Sequence, residues 1–256
     1  MPYISESNFR RFLDLLQEDY GVFLPIKRGS QRFYRRYEGS LDEACIGEVR
    51  AYEPLKAFFT RAREDVAEDF ASGVPHAQDK PIAVVGVKAC DLKGFKVQDH
   101  VFGNADLPDP FYVRNRKSNL IISSDCTCAI ETCFCLALGV TPAPQEDTDI
   151  NLSPVRGGFL AEPRSEKGRA LLNKHKNLFE EAKREQEGDR DRQRTRAQEE
   201  VRRNIEREAT PSQDSFKGIV ERSFDSKMWE EESRTCVECG ACTLICPTCH
   251  CFLLYD

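Results

Sequence analysis

The spacing of cysteines near one end of this sequence carries its clearest chemistry. Cys236-Val-Glu-Cys239-Gly-Ala-Cys242-Thr-Leu-Ile-Cys246-Pro247 follows C-x2-C-x2-C-x3-C-P, the bacterial ferredoxin spacing of thiolates around a [4Fe–4S] cube. Two-residue gaps let one tight loop set three thiolates at three corners of a cluster. Gly240 tolerates the positive φ that brings backbone close to the sulfides. Pro247 redirects the chain so that Cys246 points away, in two-cluster ferredoxins towards the other cluster. Zinc ribbons pair two C-x2-C knuckles across a longer gap, which three close cysteines and a Cys-Pro fit poorly.

A second group lies far upstream: Cys90, Cys126, Cys128, Cys133 and Cys135. The last four read C-x-C-x4-C-x-C, which is not a widely shared iron–sulfur motif. From the residues alone a cluster, a zinc site and buried structural cysteines all stand. Position is what favours convergence. The apolar runs Pro81–Val87 and Leu120–Ser124 are each followed within a few residues by cysteine, Cys90 after the first and Cys126 after the second. In a parallel α/β sheet, ligands gather at the carboxyl ends of the strands. Cys90 and Cys126 are therefore predicted to meet there, with Cys133 and Cys135 folding back over them and Cys128 as an alternate. Asp91 and Asp125, beside these cysteines, read as solvated turn residues. Cys45 reads as a small buried hydrophobe.

Elements that could position these groups are visible. Ser7 precedes Phe9, Phe12, Leu13 and Leu16, an i, i+3, i+4, i+7 stripe, so an amphipathic helix is predicted to run from a serine cap to Gly21. Leu55, Phe58 and Phe59 fit either a helix or an extended arm. Residues 81–87 and 120–124 read as strands buried on both faces, joined by a helix through Leu92, Phe95 and Phe102, a parallel βαβ unit. Arg32, Arg35 and Arg36 around Phe33, Tyr34 and Tyr37 fit a strand edge or a cationic docking face. These residues define an α/β domain over 1–160. From Glu180 to Glu208 ten acidic and nine basic residues alternate without proline, which predicts an exposed helix within a charged linker over 161–230. A ferredoxin-like module follows over 231–256.

Composition removes other classes. The 256 residues carry a net charge of −6, so no basic field points to nucleic acid or anionic membrane. No apolar run reaches the ~20 residues of a spanning helix, and residues 1–7 show no basic or apolar signal-peptide regions. Twelve cysteines in such a chain read as metal ligands in a reducing, cytoplasmic setting. No catalytic triad, P-loop or EF-hand pattern is present, and the Gly86-Val-Lys-Ala-Cys-Asp turn lacks the glycines that cradle a pyrophosphate. The histidines His76, His100, His175 and His250 share no ligand spacing, and His250 reads as exposed or beside a cluster without ligating it.

Gly86-Val-Lys-Ala-Cys-Asp-Leu-Lys-Gly-Phe-Lys, the Cys126…Cys133-Phe-Cys135 group, Met228-Trp-Glu-Glu-Glu and Cys236…Cys246-Pro-Thr-Cys-His-Cys251-Phe occur in one order. Together they resemble the iron–sulfur β subunit of cytosolic sulfhydrogenases, itself similar to the iron–sulfur subunit of anaerobic sulfite reductase. The resemblance implies an electron-transfer subunit with no catalysis of its own. It would hold one [4Fe–4S] cluster in the α/β domain, on Cys90, Cys126, Cys133 and Cys135, and one or two at the terminal module. It also implies a flavin subunit handling NAD(P)H or ferredoxin on one side and a catalytic redox subunit on the other.

The family pattern repeats C-x2-C-x2-C-x3-C-P downstream, and this chain ends before the repeat. The expectation is a C-terminally truncated chain, with Cys249 or Cys251 as alternative fourth ligands. Two rivals remain: a flavin-bearing reductase resembling the F420-reducing hydrogenase β subunit, and a zinc-stabilised scaffold.

Overall fold

The computed structural model describes residues 1–60 and 80–250; Cys251 and His76 lie outside the described residues. Among the described residues eight strands form one mixed sheet in the order β3-β2-β4-β5-β6-β7-β1-β8. They are β1 (Pro2–Ser5), β2 (Gly21–Arg28), β3 (Gln31–Arg36), β4 (Ile82–Val87), β5 (Leu120–Ser124), β6 (Ile150–Val155), β7 (Gly158–Pro163) and β8 (Glu180–Glu181). The centre, β2-β4-β5-β6, is parallel, as the two apolar runs predict. Both flanks are antiparallel. The arginine-rich segment is the edge strand β3, and the sheet continues past residue 160 through β7 and β8.

Helices cover both faces. On one, α1 (Glu6–Asp19) lays Phe9, Phe12, Leu13 and Leu16 onto Val22, Leu24, Leu120, Ile122, Ile150 and Leu152. Each such side chain contributes about 1.5–3 kcal/mol by leaving water. The helix is capped by Ser5, whose hydroxyl accepts from the Asn8 amide, and not by Ser7. Tyr3 and Ile4 of β1 pair with β7, so the chain must leave extended structure before Glu6, which sets the cap two residues early. On the other face, α2 (Ala89–Gln98) and α3 (Pro110–Ser118) bring Leu92, Phe95 and Tyr112 against Val84, Val87 and Ile121. Leu55–Phe58 is a 3-10 turn packed on the same side. A shorter helix, α4 (Glu166–Lys174), adds Leu172 to the first face.

The charged segment departs from the solvated linker expected of it. It forms α5 (Arg184–Arg207), a 24-residue helix that buries Ala197 and Val201 completely and packs on β6 and the Cys135–Leu138 turn. Two small apolar residues at i, i+4 are enough to seat one face, and the charge count hides them. Beyond it lie α6 (Gln213–Arg222), α7 (Met228–Ser233) and α8 (Ala241–Ile245). From residue 211 to 250 no described side chain is fully buried.

Candidate metal centre

The parallel strands β4 and β5 end side by side, and their carboxyl ends carry the upstream cysteines. In β4 the register shifts at Gly86, whose φ is 80° and whose missing Cβ leaves room for Pro25. This bulge re-aims the chain into Lys88, the residue that caps α2, so that Cys90 falls in the first turn of that helix. Lys88 is 1% exposed and donates to the carbonyl oxygens of Ile46, Ser124 and Asp125. A buried cation thus sits under the strand ends, its charge met by backbone dipoles. Burial lowers its pKa, while Cys126, Asp125 and Cys90 push it back up.

Asp91 and Asp125 are buried, at 2% and 4% exposure, and not the solvated turn residues expected. Asp125 is fully engaged: it accepts from Asn151 Nδ2 at 2.8 Å, Ser153 Oγ at 2.7 Å and Arg194 Nε at 2.7 Å. Asp91 Oδ1 has no hydrogen bond, although Arg50 Nε lies 3.5 Å away. Burial raises its carboxyl to about 6 against the opposing pull of Arg50 and Lys88.

The loop after β5 is held from above by α5. Arg194 grips Asp125, and Glu200 Oε2 accepts from the Ala129 amide at 2.8 Å. One turn on, Asn204 Nδ2 donates to the carbonyls of Ile130 at 2.7 Å and Cys133 at 3.3 Å, and Arg207 reaches the Glu131 carbonyl at 3.1 Å. Residues 200, 204 and 207 recur at the i, i+4, i+7 spacing, so one edge of α5 tracks the cysteine loop. Below, the loop is tied to Gly47, whose carbonyl accepts from the Thr127 amide and hydroxyl.

The cysteines so placed feel one another. Burial pushes Cys126 up to about 12, with Lys88 opposing and Cys135, Cys133 and Cys128 adding repulsion. Cys90 is pushed well up by burial, then by Asp91, Cys126 and Cys135. Cys135 rises to about 11 through burial and Cys133, and Cys133 rises through burial and Cys128, with a backbone hydrogen bond from Ile130 opposing. All five are thiols without disulfide bonds. Among the described residues, however, no three Cys, His, Asp or Glu side chains are drawn together tightly enough to hold a metal ion. The donor types fit a thiolate-bound cluster, and the buried Lys88 suits an anionic guest. Cys90 and Cys126 follow the adjacent ends of β4 and β5. Cys45 is buried, as its apolar flanks predict.

The terminal cysteines are differently placed. Gly240 does adopt positive φ, at 70°, and opens α8. Cys236, Cys239 and Cys242 are exposed. Cys246 Sγ lies 3.2 Å from Thr248 Oγ1; desolvation raises its pKa, but hydrogen bonds from Thr248 and Cys249 outweigh this and bring it to about 7. Cys249 therefore sits on the Cys246 side of the module. His250 is exposed.

Lys88, Arg50, Arg194, Glu200 and Asn204 were not singled out by sequence reasoning. Lys88 alone left a trace, a lysine ending an unbroken buried run. No family model matches the chain. Over 250 residues it is 30% identical to sulfhydrogenase 2 subunit beta of Pyrococcus furiosus, an alignment covering 97% of this chain and 72% of that protein. With that identity along nearly its whole length, the chain belongs to the sulfhydrogenase β-subunit family.

Proposed function

We propose that this chain is an iron–sulfur electron-transfer subunit of a hydrogenase-type complex, working between a flavin or ferredoxin-linked partner and a catalytic redox subunit in the cytoplasm. Cys90, Cys126, Cys133 and Cys135 hold one [4Fe–4S] cluster, and Cys236, Cys239, Cys242 and Cys246 belong to a ferredoxin-type module holding another. Such a cluster supplies one-electron chemistry. The chain's own residues supply its setting. Lys88 offsets negative charge, and Asp125 and Arg194 fix the start of the cysteine loop.

The observation that supports this reading is that Cys90 and Cys126 each follow closely on one of two adjacent parallel strands, β4 and β5. Membership of a family whose named relative is a sulfhydrogenase subunit supports the redox assignment. Among the described residues no helix is long and apolar enough to cross a membrane.

Anaerobic reconstitution with iron and sulfide tests it. The expected result is a brown protein with about four irons and four sulfides for each filled site. Quadruple Cys→Ser replacement at Cys90, Cys126, Cys133 and Cys135 should remove one site's worth. A colourless, folded protein that takes up zinc and no acid-labile sulfide would replace the reading with a zinc scaffold, and flavin released on denaturation would replace it with a flavin reductase.

A further inference from the structure

Four residues of the α/β body meet the terminal cysteine module, three of them through its backbone carbonyls. Lys56 Nζ donates to the carbonyls of Thr243 and Cys249, both at 2.7 Å. Gln98 Nε2 donates to those of Pro247 at 3.2 Å and Cys249 at 3.1 Å. Arg50 Nη2 lies 3.3 Å from the Ile245 carbonyl while its Nε faces Asp91. The fourth has no side chain: a Cβ on Gly94 would stand 2.9 Å from Pro247 Cβ and 3.4 Å from Thr248 Cγ2. Gly94 lies inside α2 and is not among the positive-φ glycines, so nothing local asks for glycine there. The close approach of the Pro247 ring does.

These contacts centre on α2, whose first turn contains Cys90. Gly94 follows Cys90 by four residues, about 6 Å along the helix axis. A single guanidinium, that of Arg50, touches the neighbour of Cys90 on one side and the neighbour of Cys246 on the other. We propose that Lys56, Gln98, Gly94 and Arg50 form a seat for the terminal module, and that this seat, not the exposed α6–α7 arm, fixes the separation of the two cysteine sites. Arg50 is the positioning residue at their boundary. Carbonyl-directed contacts suit this purpose, because they grip the module's backbone and leave its thiols to their ligands.

The seat is tested on the 256-residue chain without iron by amide exchange over residues 241–246. A five-residue helix on its own gives almost no protection, so protection there reports docking. Alanine favours a helix interior over glycine, so Gly94→Ala should leave α2 and the body intact or steadier. It should nevertheless raise exchange in 241–246 by about tenfold, as should Lys56→Met. Exchange within twofold of the parent in both variants overturns the seat, as does a parent already unprotected.

Control of the separation rests on the iron–sulfur reading and is tested on the reconstituted, reduced protein. The parent should show magnetic interaction between two clusters in its electron paramagnetic resonance spectrum. Gly94→Ala and Arg50→Met should keep the iron content and give the sum of two isolated signals. Interaction that persists despite raised exchange overturns the seat's control of separation. A parent that takes up no iron overturns the iron–sulfur reading and leaves the exchange result to decide the seat.

Discussion

Two groups of cysteines in this chain have opposite surroundings. The upstream group sits where β4 and β5 emerge from a sheet covered on both faces, is pinned from above by α5, and has thiols pushed up by burial to about 12 at Cys126 and about 11 at Cys135. The terminal group rides on a five-residue helix with no buried residue, and its Cys246 is brought down to about 7 by hydrogen bonds that outweigh desolvation. Yet the terminal group has the recognisable spacing and the upstream group does not. A loop that must wrap a cluster without help from a fold needs its ligands at fixed short intervals. A fold that brings strand ends together can gather side chains from residues 36 apart, such as Cys90 and Cys126, and leaves no regular interval behind.

The largest test of this contrast is Arg194→Met. It leaves Asp125 buried and without its cation, which costs about 3–5 kcal/mol. Thermal unfolding of the body should fall by roughly 6–20 °C. Removing both charges, Asp125→Asn with Arg194→Met, should recover much of the loss. Lys56→Met should move the same transition far less, because its two hydrogen bonds go to the module's backbone and the body keeps its own contacts. Equal shifts for Arg194→Met and Lys56→Met would mean that module and body unfold as one unit, and the contrast would collapse.

Asn204→Leu comes next. It removes the donor to the Ile130 and Cys133 carbonyls, a loss of about 0.5–1.5 kcal/mol for each bond, the Ile130 carbonyl keeping the Cys133 amide. The effect should be local. Alkylation of Cys133 in the iron-free chain should quicken several-fold while that of Cys242 stays unchanged. A uniform change at both would place the helix's role in overall stability and not in holding the loop.

Lys88→Met sharpens the comparison electrically. Replacing the buried cation deprives three carbonyls of a donor and should cost about 1–3 kcal/mol. On the iron–sulfur reading it should also make the potential of the upstream cluster more negative, since an added electron loses a nearby positive charge. The shift should be tens of millivolts, where about 59 mV is a tenfold change for one electron. The terminal cluster's potential should stay put. Redox titration followed spectroscopically separates the two, and equal shifts would place Lys88 outside the upstream site.

How much of this was legible beforehand depended on whether the signal was local. The two buried strands, the turn of Gly240 and the burial of Cys45 follow from short-range pattern, and the structure has all three. The hairpin of β6 and β7 was missed although Arg156-Gly157 makes its turn, with Gly157 at φ 82°. Residues 150–153 alternate apolar and polar, but the polar positions Asn151 and Ser153, with Glu162 of β7, serve a polar network around Asp125 and Arg194 and do not face solvent. The same network explains the failure with Asp91 and Asp125, read as solvated because a carboxylate's partners can lie far along the chain. Arg194 is 69 residues from the aspartate it serves. Helix α5 was legible as a helix but not as a support, because polar groups aimed at backbone carbonyls leave no hydrophobic stripe.

The smallest expected effect discriminates the two cysteine groups most directly. In the reduced, iron-free chain at neutral pH, a thiol with a raised pKa stays protonated, while one lowered to about 7 is roughly half thiolate, the form that reacts. Brief treatment with iodoacetamide at pH 7, read by peptide mass, should therefore label Cys246 well before Cys126 and Cys135. As pH rises from 6 to 8, the Cys246 rate should climb and level off, while the rates at Cys126 and Cys135 keep climbing beyond pH 9. Thr248→Val removes one of the hydrogen bonds that holds the Cys246 pKa down. Its half-rise should move upward, towards the ordinary thiol range, with Cys126 and Cys135 unaffected. If Cys126 reacts as fast as Cys246 at pH 7, the contrast between raised and lowered thiols does not hold.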